Sequence, residues 1–213
     1  MIKAIFWDND GVLVDTEELY YRATRDVLED VGIDLTPQQY AELFLVNSIG
    51  AWHLVAERGH SVAEVQRLRE LRNTRYGEML DSPCPVMEGV TTMLDALHGH
   101  YVMGIVTSSR RDHFDIIHRT TGLLPYFDFV LTADDCTCTK PHPELYLKAV
   151  EKSGMHPDEC IAVEDSARGL SAATAAGIKC VVVPTPLTEH SDFAGAHKVI
   201  THISDLRALL PGG

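Results

Sequence analysis

Two carboxylates stand one residue apart near the start of the chain, in Trp7-Asp8-Asn9-Asp10-Gly11. Like charges that close repel each other and raise one pKa, unless a cation or a shared proton relieves them. Such a pair is either a solvated acidic turn or the beginning of a metal site. Other polar clusters punctuate apolar stretches downstream: Thr107-Ser108-Ser109, Lys140-Pro141 and Glu164-Asp165-Ser166. Asp8, Asp10, Glu164 and Asp165 are hard oxygen ligands of the kind Mg²⁺ takes alongside waters or phosphate oxygens. Thr107, Ser108 and Lys140 offer hydroxyl, amide and ammonium donors suited to a phosphoryl group. A metal and such donors around a carboxylate nucleophile make a phosphoryl-transfer site. Taken singly, Lys140 also reads as a loop lysine and Thr107 as a helix cap.

The elements that carry these residues favour the site. Residues 2–7 are apolar apart from Lys3 and read as a buried strand entering a sharp turn at Gly11. Further strands are predicted over 101–106, 127–131, 160–163, 179–183 and 199–200. Helices are expected around 89–98, 111–121, 144–153, 167–176 and 203–210. Strands alternating with helices imply βαβ units and an α/β fold with a doubly wound parallel sheet. Between Thr16 and Asp81 only helices are expected: over 17–31 with Thr16 as N-cap, from Thr36-Pro37 onward, and over 49–58 and 61–80. That block divides the chain into a core of residues 1–15 and 82–213 and an inserted helical cap of residues 16–81. Each polar cluster falls at or just beyond a strand end, and open parallel sheets bind ligands outside the carboxyl ends of their strands.

With these motifs in this order, the chain resembles the haloacid dehalogenase (HAD) superfamily, in its phosphatase and phosphomutase branch with a helical cap. The resemblance covers essentially the whole chain. It is carried by the run from Asp8-Asn9-Asp10-Gly11 to Asp15-Thr16-Glu17, by Thr107-Ser108-Ser109, by Lys140-Pro141, and by Glu164-Asp165-Ser166-Ala167-Arg168-Gly169. It implies a Rossmann-like core in which Asp8 attacks phosphorus to give an aspartyl-phosphate and Asp10 serves as general acid and base. Mg²⁺ would be held by Asp8, Asp10 (through its backbone carbonyl) and Asp165, with Glu164 nearby. Lys140 would neutralise that cluster, while Thr107 and the Ser108 amide bind the transferring oxygens, with Ser109 in the same phosphate-binding loop. Asn9 stands where relatives mostly carry an apolar residue, and either contacts the leaving group or hydrogen-bonds the turn. In the last cap helix Arg72, and after it Arg75, occupy the region from which relatives reach toward substrate.

The implied activity is Mg²⁺-dependent hydrolysis of a small phosphomonoester, a sugar phosphate or phosphoglycolate-like compound. A β-phosphoglucomutase-like mutase is the alternative, and a non-catalytic binding domain a third. The second aspartate and the Glu164-Asp165 pair argue against dehalogenation. Tyr20 replaces the histidine that mutases of this type place in the first cap helix, which favours water as the acceptor.

Composition narrows the partners. The 213 residues carry a net charge of −13, which disfavours nucleic acid and anionic membranes, since both require a basic face. No stretch approaches the ~20 apolar residues of a membrane span, and Asp8 interrupts the first apolar run, so no signal peptide is expected. Five cysteines without paired ligand spacing read as free thiols in a reducing, cytoplasmic compartment. The expected partner is a small-molecule phosphate ester, bound by a monomer or homodimer. The histidines show no ligand spacing.

Overall fold

The computed structural model describes residues 1–80 and 82–210. The expected cap boundary at Asp81 and the last three core residues lie outside them. The core is one parallel sheet of six strands in the order β3-β2-β1-β4-β5-β6. These are β1 (Ala4–Trp7), β2 (Val102–Val106), β3 (Phe129–Leu131), β4 (Cys160–Glu164), β5 (Lys179–Val182) and β6 (Lys198–Val199). Strand order reverses at β1, which pairs with β2 on one side and β4 on the other.

Strand periodicity splits the core in two. Ile5 and Trp7 of β1 join Met103, Ile105, Ile161 and Val163 in one cluster, while Ala4 and Phe6 join Val106, Ala162 and Val182 in the other. Side chains two apart share a face, so a strand buried on both faces reads as a continuous apolar run. Helices α5 (Val90–Leu97) and α6 (Arg111–His118) cover the first face, and α7 (Glu144–Ser153) and α8 (Ala167–Ala175) the second.

The helical block between β1 and α5 has a core of its own, built on Tyr21, Val27, Leu28, Tyr40, Trp52, Val55 and Leu68. It comprises α1 (Glu17–Glu29), α2 (Pro37–Tyr40), a π-helical turn Ala41–Val46, α3 (Trp52–Glu57) and α4 (Val62–Met79). Thr36 and Gln39 close a capping box with Pro37 in the first turn of α2, and Ser61 caps α4 by accepting the Glu64 amide. The two chain segments that connect cap and core run side by side: the Asp15 amide donates to the Pro85 carbonyl and the Met87 amide to the Leu13 carbonyl.

Several expected elements are trimmed. The helix expected over 111–121 ends at His118, the one over 49–58 starts at Trp52, and the terminal helix is a 3₁₀ segment, Ile203–Leu209. Thr16 gives α1 no side-chain cap; its hydroxyl is turned to Asp10 instead.

One close approach sets the spacing of β2. A Cβ on Gly104 would lie 2.3 Å from the Phe129 ring, which in turn packs 6.0 Å from Phe6. Gly104→Ala is expected to overpack this face and lower unfolding free energy by about 1–3 kcal/mol, seen as a lower urea midpoint at unchanged slope. An unchanged midpoint would show that the ring has room to move.

Candidate active site

The ladder bonds continue one residue past the strands. The Asp8 amide donates to Val163 O (2.9 Å) and the Thr107 amide to Leu131 O (2.9 Å). Asp8, Thr107 and Glu164 therefore reach the same edge of the sheet, at the point where strand order reverses. Lys140, in the loop before α7, spans that edge: its Nζ lies 2.8 Å from Asp8 Oδ1 and 2.6 Å from Glu164 Oε1, and donates to Val106 O at 2.7 Å. The lysine is 3% exposed and Glu164 0%. Burial opposes its charge, yet Asp8 and Glu164 outweigh burial and hold its pKa above the ordinary lysine value.

Asp8, Glu164 and Asp165 converge, with one carboxylate oxygen from each lying within 4.8 Å of the others. Burial, then Glu164, pushes Asp8 up to about 8, and burial together with Asp8 and Glu164 raises Asp165. One ammonium does not balance three buried carboxylates, so the donor set, all hard oxygens, fits a divalent cation such as Mg²⁺. Glu164 Oε1 accepts from Tyr146 OH at 2.5 Å as well as from Lys140, while Oε2 is buried without a partner. Gly169 makes room for it, since a Cβ there would sit 1.8 Å from Oε2. A second convergence, Cys138, His142 and Glu144, needs no cation. Glu144 already accepts from the Thr137 and Cys138 amides and from Lys148, and these bonds, the Thr137 amide first, hold its pKa down at about 2.

Asp10 leaves the strand on a different errand. Its carboxylate accepts from the hydroxyls of Thr16, Ser109 (2.6 Å) and, more weakly, Thr107 (3.4 Å). Its side chain is not among the converging carboxylates; the metal role expected of Asp10 belongs to its backbone carbonyl. Gly11 adopts φ +81°, and the Asn9 carbonyl accepts the amides of Val12, Leu13 and Val14, which turns the chain and lets the two aspartates diverge. Ser109, expected to bind phosphate, has its hydroxyl committed to Asp10. The Ser108 hydroxyl is buried without a partner and lines the adjoining cavity.

Asn9 does not contact that cavity. It is 0% exposed, and its Oδ1 meets His118 Nε2 at 2.8 Å. Asn9 continues the alternation of Ile5 and Trp7, whose face of the sheet α6 covers, so its side chain points into that helix.

The cavity, about 230 Å³, lies between cap and core. Asp10, Ser108, Ser109 and Arg168 line it from the core; Tyr20, Tyr40, Phe44, Tyr76 and Arg72 line it from the cap. Arg72 is 7% exposed, with its guanidinium 4.3 Å from the Tyr20 ring centre and 5.4 Å from that of Trp52. Its Nε donates to Asn73 Oδ1 at 3.0 Å, and it has no ion pair among the described residues. Arg75 instead pairs with Asp30 at 2.7 Å. Of the cavity's aromatic wall the sequence singles out only Tyr20; it does not mark the Glu17–Tyr40 hydrogen bond of 2.5 Å or His113 of α6, which lines the cavity with Nε2 3.1 Å from the Asn73 carbonyl. Arg168 falls in a motif without a role assigned to it, although its Nε is buried and unpartnered. Nothing in the local pattern of the cap marks its aromatic residues, because helical spacing explains such positions equally well as core.

Comparison with known proteins agrees with this geometry. The family model for haloacid dehalogenase-like hydrolases matches residues 5–183. The chain is 32% identical over 190 residues to YhcW of Bacillus subtilis, covering 88% of this chain and 86% of that one. It is 26% identical over 213 residues to hexitol phosphatase B of Escherichia coli K12, covering 97% and 95%. The crystal structure of CbbY from Rhodobacter sphaeroides in complex with phosphate superposes with a TM-score of 0.81 at 25% identity, covering 97% and 96%. With the strand order, the four motifs and the inserted helices in place, the chain belongs to the haloacid dehalogenase-like hydrolase family and is an enzyme of its phosphatase branch.

Proposed function

We propose that the protein hydrolyses a small phosphomonoester, a sugar phosphate or a compound of similar size, through an aspartyl-phosphate on Asp8. The observation that carries this reading is the buried Lys140 bridging Asp8 and Glu164 beside Asp165. It is a charge arrangement suited to a nucleophilic carboxylate that must meet an anion. Lys140 and the Asn9 amide (2.8 Å) both donate to Asp8 Oδ1, which fixes the carboxylate and leaves its second oxygen for in-line attack. Asp8, Asp165 and Glu164 would hold Mg²⁺, which supplies charge neutralisation for a dianionic substrate. Thr107, Ser108 and Lys140 would receive the transferring oxygens.

Asp10 would protonate the leaving oxygen and later take a proton from water. Its three hydroxyl partners keep it turned to the cavity and separate from the metal carboxylates. The cap would exclude bulk water during the chemistry, with Arg72 and the aromatic wall setting which leaving group fits. Support comes also from similarity to a hexitol phosphatase and to CbbY. Tyr20 occupies the cap position where a mutase of this family carries histidine, and here it stacks under Arg72, which favours water over a second sugar hydroxyl.

Two outcomes are expected. Asp8→Asn abolishes Mg²⁺-dependent phosphate release from p-nitrophenyl phosphate and from a panel of sugar phosphates. Asp10→Asn lowers kcat about 10²–10⁴-fold while the fold is retained by circular dichroism. If phosphate remains esterified and glucose 1-phosphate becomes the 6-phosphate, the mutase reading replaces this one.

A pH effect follows from the same carboxylates. Asp8 rises from its ordinary 3.8 to about 8 without metal, so the folded state keeps a proton that the unfolded chain has released. The metal-free protein is therefore expected to lose stability as pH rises from about 4 toward 8. Melting curves in EDTA should show Tm falling over that range, and added Mg²⁺ should raise Tm more at pH 8 than at pH 5. An equal Mg²⁺ effect at both values contradicts the assignment of Asp8 to the metal.

A further inference from the structure

The pair Asn9–His118 is buried, polar and unused by the chemistry above. His118 is the last residue of α6, 5% exposed, with Nε2 2.8 Å from Asn9 Oδ1 and Nδ1 2.9 Å from Thr121 Oγ1. Its ring packs 4.3 Å from that of Phe114. A neutral imidazole has one donor and one acceptor, and these two partners use both: with Asn9 Oδ1 as the acceptor, the tautomer is the one in which Nε2–H donates to Asn9 and Nδ1 accepts from Thr121, while Asn9 Nδ2 is buried without a partner. Asn9 in turn is the hub of the first-motif turn. Its amide donates to Asp8 Oδ1, and its carbonyl accepts three amides of the turn. Helix α6 begins directly after the Thr107-Ser108-Ser109 loop, so one rigid element holds the phosphate loop at its start and Asn9 at its end.

We propose that His118 is a positioning residue. Acting through Asn9, it fixes the rotation of the Asp8–Asp10 turn, and with it the direction of the Asp8 carboxylate relative to the phosphate loop. This rests on the reading of Asp8 as nucleophile. A side chain at position 9 must be seated against α6 whatever its chemistry. An apolar residue is seated by packing, whereas asparagine is seated here by one hydrogen bond. A buried polar group that loses its partner is displaced or resolvated, and a displacement of the order of an ångström at the nucleophile is enough for a large loss of rate.

The test uses the Mg²⁺-loaded enzyme and p-nitrophenyl phosphate. His118→Phe keeps the ring but not the donor, and kcat per folded molecule is expected to fall at least about tenfold with KM changed less than twofold. His118→Gln retains an N–H within reach of Asn9 and is expected to keep at least a third of kcat. In an Asn9→Leu background, where no acceptor remains, adding His118→Phe is expected to change kcat less than twofold. This arm also serves if His118→Phe alone does not fold. The proposal is overturned if kcat is unaffected by His118→Phe, if His118→Gln fails as badly as phenylalanine, or if His118→Phe costs a further tenfold in the Asn9→Leu background. Wild-type protein that releases no phosphate from any ester would instead defeat the phosphatase reading, leaving this cycle to be read through Tm alone. There, additive Asn9 and His118 effects would overturn the coupling.

Discussion

Burying a charge demands a partner, and the whole site is arranged around one that has several. Lys140 is nearly inaccessible, yet its ammonium touches Asp8, Glu164 and the Val106 carbonyl. Those groups stand at the ends of the three adjacent strands β1, β4 and β2, so the lysine ties together the edge where strand order reverses. Breaking a buried pair by removing one partner typically costs 3–5 kcal/mol because the other charge is left stranded. Here two carboxylates would be stranded. Tyr146 and Gly169 belong to the same constraint: one donates to Glu164, the other clears the space its second oxygen fills. The chain is strongly acidic overall, and at this point Lys140 in contact, and Arg168 acting on Asp8 and Asp165 without an ion pair among the described residues, face three buried carboxylates. That imbalance leaves the site suited to further positive charge.

The two aspartates of the first motif are separated by one residue and share little else. Asp8 is buried among like charges, which raises its pKa. Asp10 is partly exposed and surrounded by hydroxyl donors. Environments that differ in this way are how a pair of carboxylates takes on different roles. The separation is produced by the turn: Gly11 in the left-handed region and the Asn9 carbonyl gathering three amides. Thr16 completes it. Its hydroxyl does not cap α1, and the helix start forgoes that bond so that the cap's first residues hold Asp10. The first residue of the cap is thereby bonded directly to Asp10.

Much of this was legible in the sequence, for identifiable reasons. Apolar runs ending in Asp8, Thr107 and Glu164 announce buried parallel strands whose ends coincide, because strand period and burial are local properties. Lys140 was legible by its motif but not by physics alone, since nothing local says that a loop lysine will cross the sheet edge. The burial of Asn9 is half legible. The alternation that carries Ile5 and Trp7 to the α6 face carries Asn9 there as well, but the partner it finds, His118, is 109 residues away. Ser109 reads as a phosphate donor because nothing local tells that the Asp10 carboxylate turns to meet its hydroxyl. The cap was legible as helices and opaque as a binding surface.

That opacity has a physical basis. Tyr20, Tyr40, Phe44 and Tyr76 satisfy the same helical spacing whether they fill a core or wall a cavity, and Tyr40 does both, being fully buried yet bonded to Glu17 at the cavity. Arg72 is the residue that separates the two cases. Even the half-exposed guanidinium of Arg75, three residues on, finds a carboxylate in Asp30. Arg72 finds aromatic faces and an amide oxygen, contacts that hold the group in place without neutralising it. The cap thus presents a fixed positive group without an ion pair among the described residues to a cavity whose other walls carry the Ser108 hydroxyl and Arg168 as well as the carboxylates of Asp10 and Glu17. Helical spacing alone cannot show this, because the charge of Arg72 is distinguished by the partners it lacks and not by its position on the helix.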